Sequence, residues 1–406
     1  MQPLPAIRSR APGRFAGLSA LGLCALCLVF AACGGGDSGG GGGGGGSTPW
    51  PDPGPRDPMP AQFQTLDYYF KPELISAGFT GTSQNMPVKL AQAPAPDNRI
   101  FVSVLNGTIL TIDAAAPHTQ TVWATLSVLN GAEQGLLGIA LSPNFASNGF
   151  VYVQACVNNV TNKQQIIRYT DSGGVGINPV VILDNLPTGN IHNSGALKFA
   201  TDGMLLCTVG DAGTDTDAQQ SGLKSGRLLR MTEAGGVPGD NPLAAPNEYE
   251  WCRGLRNSFG LCVHQASGIF VATENGPNSN DELNYLGKGK NFEWGAGTPV
   301  PGAQVGFKMR NWGTVIVPTG VTFHTGAAVP PGYGDNLFIC SYDVNEILRF
   351  EMFGSPPVNI NLEHSFATFT NSGNSNKPLD IIQMNDGSLL VSTFTAIWRI
   401  YARTGP

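Results

Sequence analysis

Asn336-Leu337-Phe338-Ile339, followed after a polar stretch with Asp343 and Asn345 by Ile347-Leu348-Arg349-Phe350, carries the architecture of this chain. A short apolar run, a turn signal and a second apolar run read as two adjacent strands. The same pair recurs as Arg99-Ile100-Phe101-Val102 with Thr108-Ile109-Leu110-Thr111, and as Gly149-Phe150-Val151-Tyr152 with Ile166-Ile167-Arg168-Tyr169. It returns as Gly203-Met204-Leu205-Leu206 with Arg227-Leu228-Leu229-Arg230, and as Gly268-Ile269-Phe270-Val271 with Glu282-Leu283-Asn284-Tyr285. Gly387-Ser388-Leu389-Leu390 with Ile397-Trp398-Arg399-Ile400 makes six copies, spaced by about 50–70 residues, a little longer than common propeller repeats. One such unit alone exposes its apolar faces, whereas radial packing buries them and leaves only short edges. Residues 62–406 therefore read as an all-β, six-bladed β-propeller. Each blade adds its own core, so a single domain of this length is reasonable.

Composition agrees. Charged residues are only 13% of the chain against 54 glycines and 30 prolines, which suits a turn-rich β fold rather than a helical one. The formal net charge is −6, and removing residues 1–32, with three arginines and no acids, takes it to −9. So acidic a surface argues against nucleic acid as a partner.

Residues 1–32 read as an export signal. Arg8, Arg10 and Arg14 precede an apolar, small-residue run from Leu18 to Ala32, too short for a membrane-spanning helix. The run ends Phe30-Ala31-Ala32-Cys33, resembling a bacterial lipobox. That implies a lipid on Cys33 as the membrane anchor; the alternative is an ordinary signal peptide with an incidental cysteine. Residues 33–61 are glycine- and proline-rich and read as a tether. The expected location is the periplasmic face of a bacterial membrane, with the outer membrane favoured. Of the cysteines beyond Cys33, Cys252 and Cys262 are close enough in sequence to bridge, or all five are small buried hydrophobes.

Chemistry concentrates in the loops between repeat strands. Thr273-Glu274-Asn275-Gly276-Pro277-Asn278-Ser279-Asn280-Asp281-Glu282 is a Gly-Pro turn flanked by carboxylates and amides, which reads as an oxygen-rich Ca²⁺ site. His192, in Ile191-His192-Asn193-Ser194-Gly195, reads as a general base or as a structural histidine. Gln134 lies before Gly135, where a glycine lets backbone approach a ligand or simply packs tightly. Asp211, between Gly210 and Ala212-Gly213, orients other site groups or makes an Asx turn. Arg256-Asn257 suits a planar polycarboxylate, or a salt bridge between blades. In a propeller such loop ends gather at one end of the channel, so these positions are expected to meet in one pocket.

Five segments in this order resemble the soluble quinoprotein glucose dehydrogenases and their glucose/sorbosone dehydrogenase relatives. They are Glu133-Gln134-Gly135-Leu136-Leu137-Gly138-Ile139, His192-Asn193-Ser194-Gly195-Ala196-Leu197, Val209-Gly210-Asp211-Ala212-Gly213, Gly254-Leu255-Arg256-Asn257-Ser258-Phe259-Gly260, and Glu274 to Asn284. The resemblance covers most of residues 75–400. It implies a six-bladed propeller binding pyrroloquinoline quinone (PQQ) and Ca²⁺. It makes His192 the base on a sugar hydroxyl, with Gln134 at the substrate and Asp211 beside them. Arg256, Asn257, Asn275 and Lys377 would contact the cofactor, the carbonyls of Gly276 and Pro277 would hold Ca²⁺, and Asp281 and Glu282 match positions that bind further calcium. Two departures are visible: Asp343 stands where the best-known members have a basic residue, and Lys377 alone replaces two arginines.

The expected function is PQQ- and Ca²⁺-dependent oxidation of an aldose-type sugar, with hydride transfer to the quinone. The chain has no Cys-x-x-Cys-His haem motif, so a separate quinone or cytochrome is the expected electron acceptor. Two other classes fit the same fold: a non-catalytic propeller binding glycans or envelope proteins, and a Ca²⁺-dependent lactonase-type hydrolase.

Overall fold

The computed structural model describes residues 54–403 apart from 83, 243–247, 296–303, 327–329, 331 and 371–374. The chain divides into units of residues 1–48 and 49–406. The export signal, Cys33 and most of the tether lie outside the described residues, as does part of the 295–320 loop.

Each of the quoted strand pairs is an antiparallel pair in the structure. Ile100–Val104 pairs with Thr108–Ile112, Phe150–Cys156 with Gln164–Ser172, and Leu205–Val209 with Arg227–Met231. Phe270–Glu274 pairs with Asp281–Tyr285, Asn336–Ser341 with Glu346–Phe353, and Leu389–Thr393 with Ala396–Ala402. These strands lie in six different sheets. The central strands are buried on both faces; all five residues of Ile100–Val104, Leu205–Val209 and Leu389–Thr393 are covered. That explains the continuous apolar runs, since both faces of such a strand meet protein rather than water.

One edge strand of each sheet touches an edge strand of the next. The order runs Pro87–Gln92, Leu136–Leu141, Ser194–Phe199, Leu261–Val263, Pro318–His324 and Pro378–Gln383, and then returns to Pro87–Gln92. The fold is therefore all-β and propeller-like. Among the described residues, the helical segments are one turn at Phe145–Asn148 and a 3₁₀ segment at Asp215–Gln219. None is long and apolar enough to cross a membrane.

The core lies between neighbouring sheets. Phe101, Ile109 and Trp123 of one sheet pack with Ile139, Val151 and Val153 of the next. A buried side chain of this kind contributes roughly 1.5–3 kcal/mol relative to exposure. The ring is closed by strand Phe70–Ala77, which pairs antiparallel with Ala396–Ala402 from Phe70↔Ala402 to Ala77↔Ala396. Residues from the two ends of the fold thus share one sheet. The seam between that sheet and its neighbour also holds a buried ion pair: Lys89 Nζ lies 3.1 Å from Asp380 Oδ1, and Asp380 Oδ2 accepts the Leu90 N–H at 3.0 Å. Burial pushes the Lys89 ammonium below its ordinary value, against the opposing pull of Asp380.

Cys156, Cys207, Cys252, Cys262 and Cys340 are all unbridged and buried. Cys252 lies in Glu250–Arg253 and Cys262 in Leu261–Val263, in separate sheets, so the structure takes the buried-hydrophobe alternative. Burial pushes the Cys156 thiol up to about 11 and the Cys262 thiol to about 12.

Candidate active site

The loops that follow strands Glu250–Arg253 and Phe270–Glu274, with the loop before Ser194–Phe199, converge around one cavity of about 630 Å³. His192, Ser194, Arg256, Asn257, Asn275, Gly276, Pro277 and Asp281 line it together with Glu133. Met86, Val88, Leu137, Phe259, Tyr342 and Phe394 supply apolar wall. Under Phe259 sits the Lys89 ammonium, 4.0 Å from the ring centroid, so the ion pair described above backs one wall of the cavity.

His192 is held in an unusual backbone conformation. Its φ is +57°, and Ser194 repeats that value two residues on. Left-handed backbone at a non-glycine residue is disfavoured and persists only where neighbours over-determine it. Here the His192 N–H donates to Glu133 Oε2 at 2.6 Å, and the His192 carbonyl accepts the Ala212 N–H at 3.1 Å. Gly210 permits this approach, because a Cβ there would lie 1.9 Å from the His192 carbonyl oxygen.

The imidazole points its Nδ1 at Asp211, 2.7 Å from Oδ1. Asp211 is 1% exposed, and three donors meet its carboxylate. Besides His192 these are the Gly213 N–H at 2.8 Å to Oδ1 and the Trp294 indole N–H at 2.8 Å to Oδ2. Burial raises the Asp211 carboxyl, but the hydrogen bonds from His192, Gly213 and Trp294 outweigh it and hold the group below its ordinary value. An aspartate so held fixes the imidazole tautomer and leaves Nε2 as the remaining ring atom.

Arg256 and Asn257 are set by Glu274. The buried Glu274 carboxylate accepts the backbone N–H groups of Arg256 and Asn257 and the Ser258 hydroxyl. Burial pushes this carboxyl up to about 7 in spite of those bonds. The Arg256 guanidinium donates from Nη1 to the carbonyls of Asn275 at 2.8 Å and Gly276 at 3.0 Å. Its Nε is buried without a partner, as is Asn275 Oδ1. Asn257 Oδ1 accepts the Ser194 N–H and hydroxyl, each at 3.2 Å. The Gly-Pro turn is closed from within: Asp281 Oδ1 accepts the Gly276 N–H at 2.8 Å, and Oδ2 accepts the N–H groups of Ile316 at 2.7 Å and Val317 at 2.8 Å.

Four sequence candidates lie away from the lining, and one of them, Asp211, backs it through His192. Gln134 turns Oε1 back to the Gly131 N–H at 3.0 Å, and it is the neighbouring Glu133 that faces the cavity. Lys377 sits behind Tyr342, with Nζ 3.1 Å from the Tyr342 carbonyl and 4.4 Å from its ring centroid. Glu282 pairs with Lys308 at 2.7 Å. Among the described residues, no cluster of three His, Cys, Asp or Glu side chains is arranged to hold a metal. Sequence reasoning passed over Glu133, Glu274 and Trp294. Glu133 and Glu274 stand inside quoted motifs, whereas Trp294 carries no local signal beyond a tryptophan in a polar loop.

The family model of glucose/sorbosone dehydrogenases matches residues 84–394. The chain belongs to the glucose/sorbosone dehydrogenase family. It is 30% identical to quinoprotein glucose dehydrogenase B of Acinetobacter calcoaceticus over 231 residues, 49% of this chain and 48% of that protein. It is 28% identical to the aldose sugar dehydrogenase YliI of Escherichia coli over 225 residues, 50% of this chain and 58% of that one. The matches thus span about half the length of these relatives. The solved PQQ-bound aldose sugar dehydrogenase of Streptomyces coelicolor superposes with a TM-score of 0.67 at 23% identity, covering 82% of this chain and 99% of that one. At that identity the likeness concerns the fold.

Proposed function

We propose that this family member is a PQQ- and Ca²⁺-dependent dehydrogenase that oxidises an aldose-type sugar hydroxyl to the lactone or carbonyl. In this reading the six sheets are the blades of one closed six-bladed propeller. The observation that carries it is the His192–Asp211 pair opening on the same cavity as Arg256, Asn257 and Asn275.

The residues fit the cofactor. A planar tricarboxylate needs hydrogen-bond donors, and Arg256 Nε is a buried donor left unsatisfied. The carbonyls of Gly276 and Pro277 offer hard oxygen ligands for Ca²⁺, and Asn275 Oδ1 could join them. The Asp281 carboxylate is occupied by three backbone N–H groups and would serve by shaping that turn. Lys377 would add positive charge from behind Tyr342.

When bound, the quinone supplies the hydride acceptor and Ca²⁺ supplies Lewis acidity. His192 Nε2 would take the proton of the sugar hydroxyl, while the carbon bearing that hydroxyl gives up its hydride. Asp211 holds the ring and balances the imidazolium that forms. Arg256 and Asn257 orient the carboxylates of the cofactor, and the walls of Val88, Leu137, Phe259 and Phe394 keep water away. A separate quinone or cytochrome would serve as the electron acceptor. We further propose that the protein is exported and lipid-anchored through Cys33, with residues 33–61 as tether.

The test is reconstitution. Purified protein with PQQ and Ca²⁺ should bind the quinone and reduce a dye when an aldose is added. Absence of quinone binding under saturating Ca²⁺ rejects the reading.

A further inference from the structure

Resting on the sugar-dehydrogenase reading, we propose that Trp294 is a positioning residue that sets the base and the cofactor-binding arginine with one side chain. Its indole N–H donates to Asp211 Oδ2 at 2.8 Å, and its ring face lies 5.3 Å from the Arg256 guanidinium carbon. Trp294 is not among the residues that line the cavity, so it acts through these two neighbours.

The hydrogen bonds assign protons. An indole N–H and a backbone N–H can only donate. Asp211 Oδ2 accepts from Trp294, and Oδ1 accepts from Gly213 at 2.8 Å. Both oxygens are therefore acceptors, and these donors hold the Asp211 carboxyl below its ordinary value, which keeps it ionised at neutral pH. The third contact, His192 Nδ1 at 2.7 Å from Oδ1, must then carry its proton on Nδ1. In the neutral ring Nε2 then keeps its lone pair, the state a base needs. The terminal torsion of an aspartate is broad, and one oxygen held by His192 and Gly213 alone lets the group swing. The Trp294 N–H on the second oxygen removes that freedom.

The ring face does separate work. Arg256 spends Nη1 on the carbonyls of Asn275 and Gly276, and the indole supports the guanidinium plane from its side. Trp294 is itself fixed at both ends of its peptide unit. Its N–H donates to the Gly254 carbonyl at 3.0 Å, and its carbonyl accepts Gln219 Nε2 at 2.6 Å.

Two substitutions divide the roles. Trp294→Phe keeps a ring face and loses the N–H; Trp294→Leu loses both. In apo protein labelled with ¹⁵N-histidine, the unmodified chain should show His192 protonated on Nδ1, and Trp294→Phe should show a mixture of tautomers. In the reconstituted enzyme, Trp294→Phe should lower kcat about 10- to 100-fold with the PQQ Kd within about twofold. Trp294→Leu should add a loss of PQQ affinity of about 3- to 30-fold. A Trp294→Phe protein with the unmodified ¹⁵N signature and unmodified kcat overturns the proposal. Should either variant fail to fold, the unmodified apo protein still decides: an indole N–H of Trp294 that exchanges with solvent at the free rate overturns it, and a protected one supports it. Loss of PQQ binding by the unmodified protein would sink the dehydrogenase reading instead, while the tautomer measurement in apo protein would still test Trp294.

Discussion

His192 and Asp211, separated by 19 positions in the chain, meet with Nδ1 and Oδ1 2.7 Å apart. Both stand on loops at sheet ends, and the Asp211 N–H is bonded to the Arg256 carbonyl at 2.8 Å. His192, Asp211 and Arg256 are thus tied through backbone as well as side chains.

Asp211→Asn should therefore lower kcat by about 10²–10⁴-fold in the reconstituted enzyme, because the amide can present an N–H to Nδ1 and reverse the tautomer. His192→Ala should remove turnover to a similar or greater degree. Both variants should still bind PQQ with near-unmodified affinity, measured by quinone titration. Weakened binding equal to the loss of turnover would show that the pair holds the cofactor rather than moving a proton.

Acid should reveal the same carboxylate in folding. The Asp211 pKa is lowered from its ordinary 3.8 in the native state. Its contribution to stability is then fully present above the unfolded value and fades as pH falls through the lower folded value. The gap in urea midpoint between the unmodified protein and Asp211→Asn should shrink as pH drops from about 6 to about 2. A gap independent of pH would place the group's titration elsewhere.

Arg256→Ala should weaken PQQ binding about 10- to 100-fold, the range for losing a hydrogen bond to a charged group. Arg256→Lys should recover only part of this, since an ammonium lacks the planar fork and ring-stacking face. Isothermal titration with PQQ at fixed Ca²⁺ gives the comparison; full recovery by lysine would reduce the role of Arg256 to bare charge.

The pair between Lys89 and Asp380 should matter to stability more than to chemistry. Asp380→Ala strands a buried ammonium and leaves the Leu90 N–H unpaired, for a loss of about 3–5 kcal/mol in denaturant unfolding. Replacing both partners by apolar residues, as in Lys89→Met with Asp380→Leu, should recover much of that loss. A double variant as unstable as the single one would mean that the ions are held by more than each other.

Much of the fold was readable because central strands such as Ile100–Val104 and Leu389–Thr393 are buried on both faces and so announce themselves as unbroken apolar runs. The site was readable where chemistry sits in a compact motif: His192, Asp211, Arg256, Asn257 and Asn275 each flank a glycine or another motif residue, and the structure joins them around one cavity or its immediate backing. Orientation was not readable. Gln134 and Glu133 are adjacent, and only the turn at Gly131 decides which of them faces the cavity. The capture of Glu282 by Lys308 depends on pairing between strands Asp281–Tyr285 and Phe307–Trp312, which no local spacing encodes. Trp294 acts from 83 positions away on Asp211, beyond the reach of any motif.

The pairing of Phe70–Ala77 with Ala396–Ala402 sets a timetable for the molecule. During synthesis Phe70–Ala77 lacks its partner strand until residue 402 has left the ribosome, so the ring stays open while nearly all of the chain is being made. An open ring is a threadable one. For the export proposed above, delayed closure would keep the polypeptide fit for passage through a narrow translocation pore and reserve assembly of the cavity for the far side.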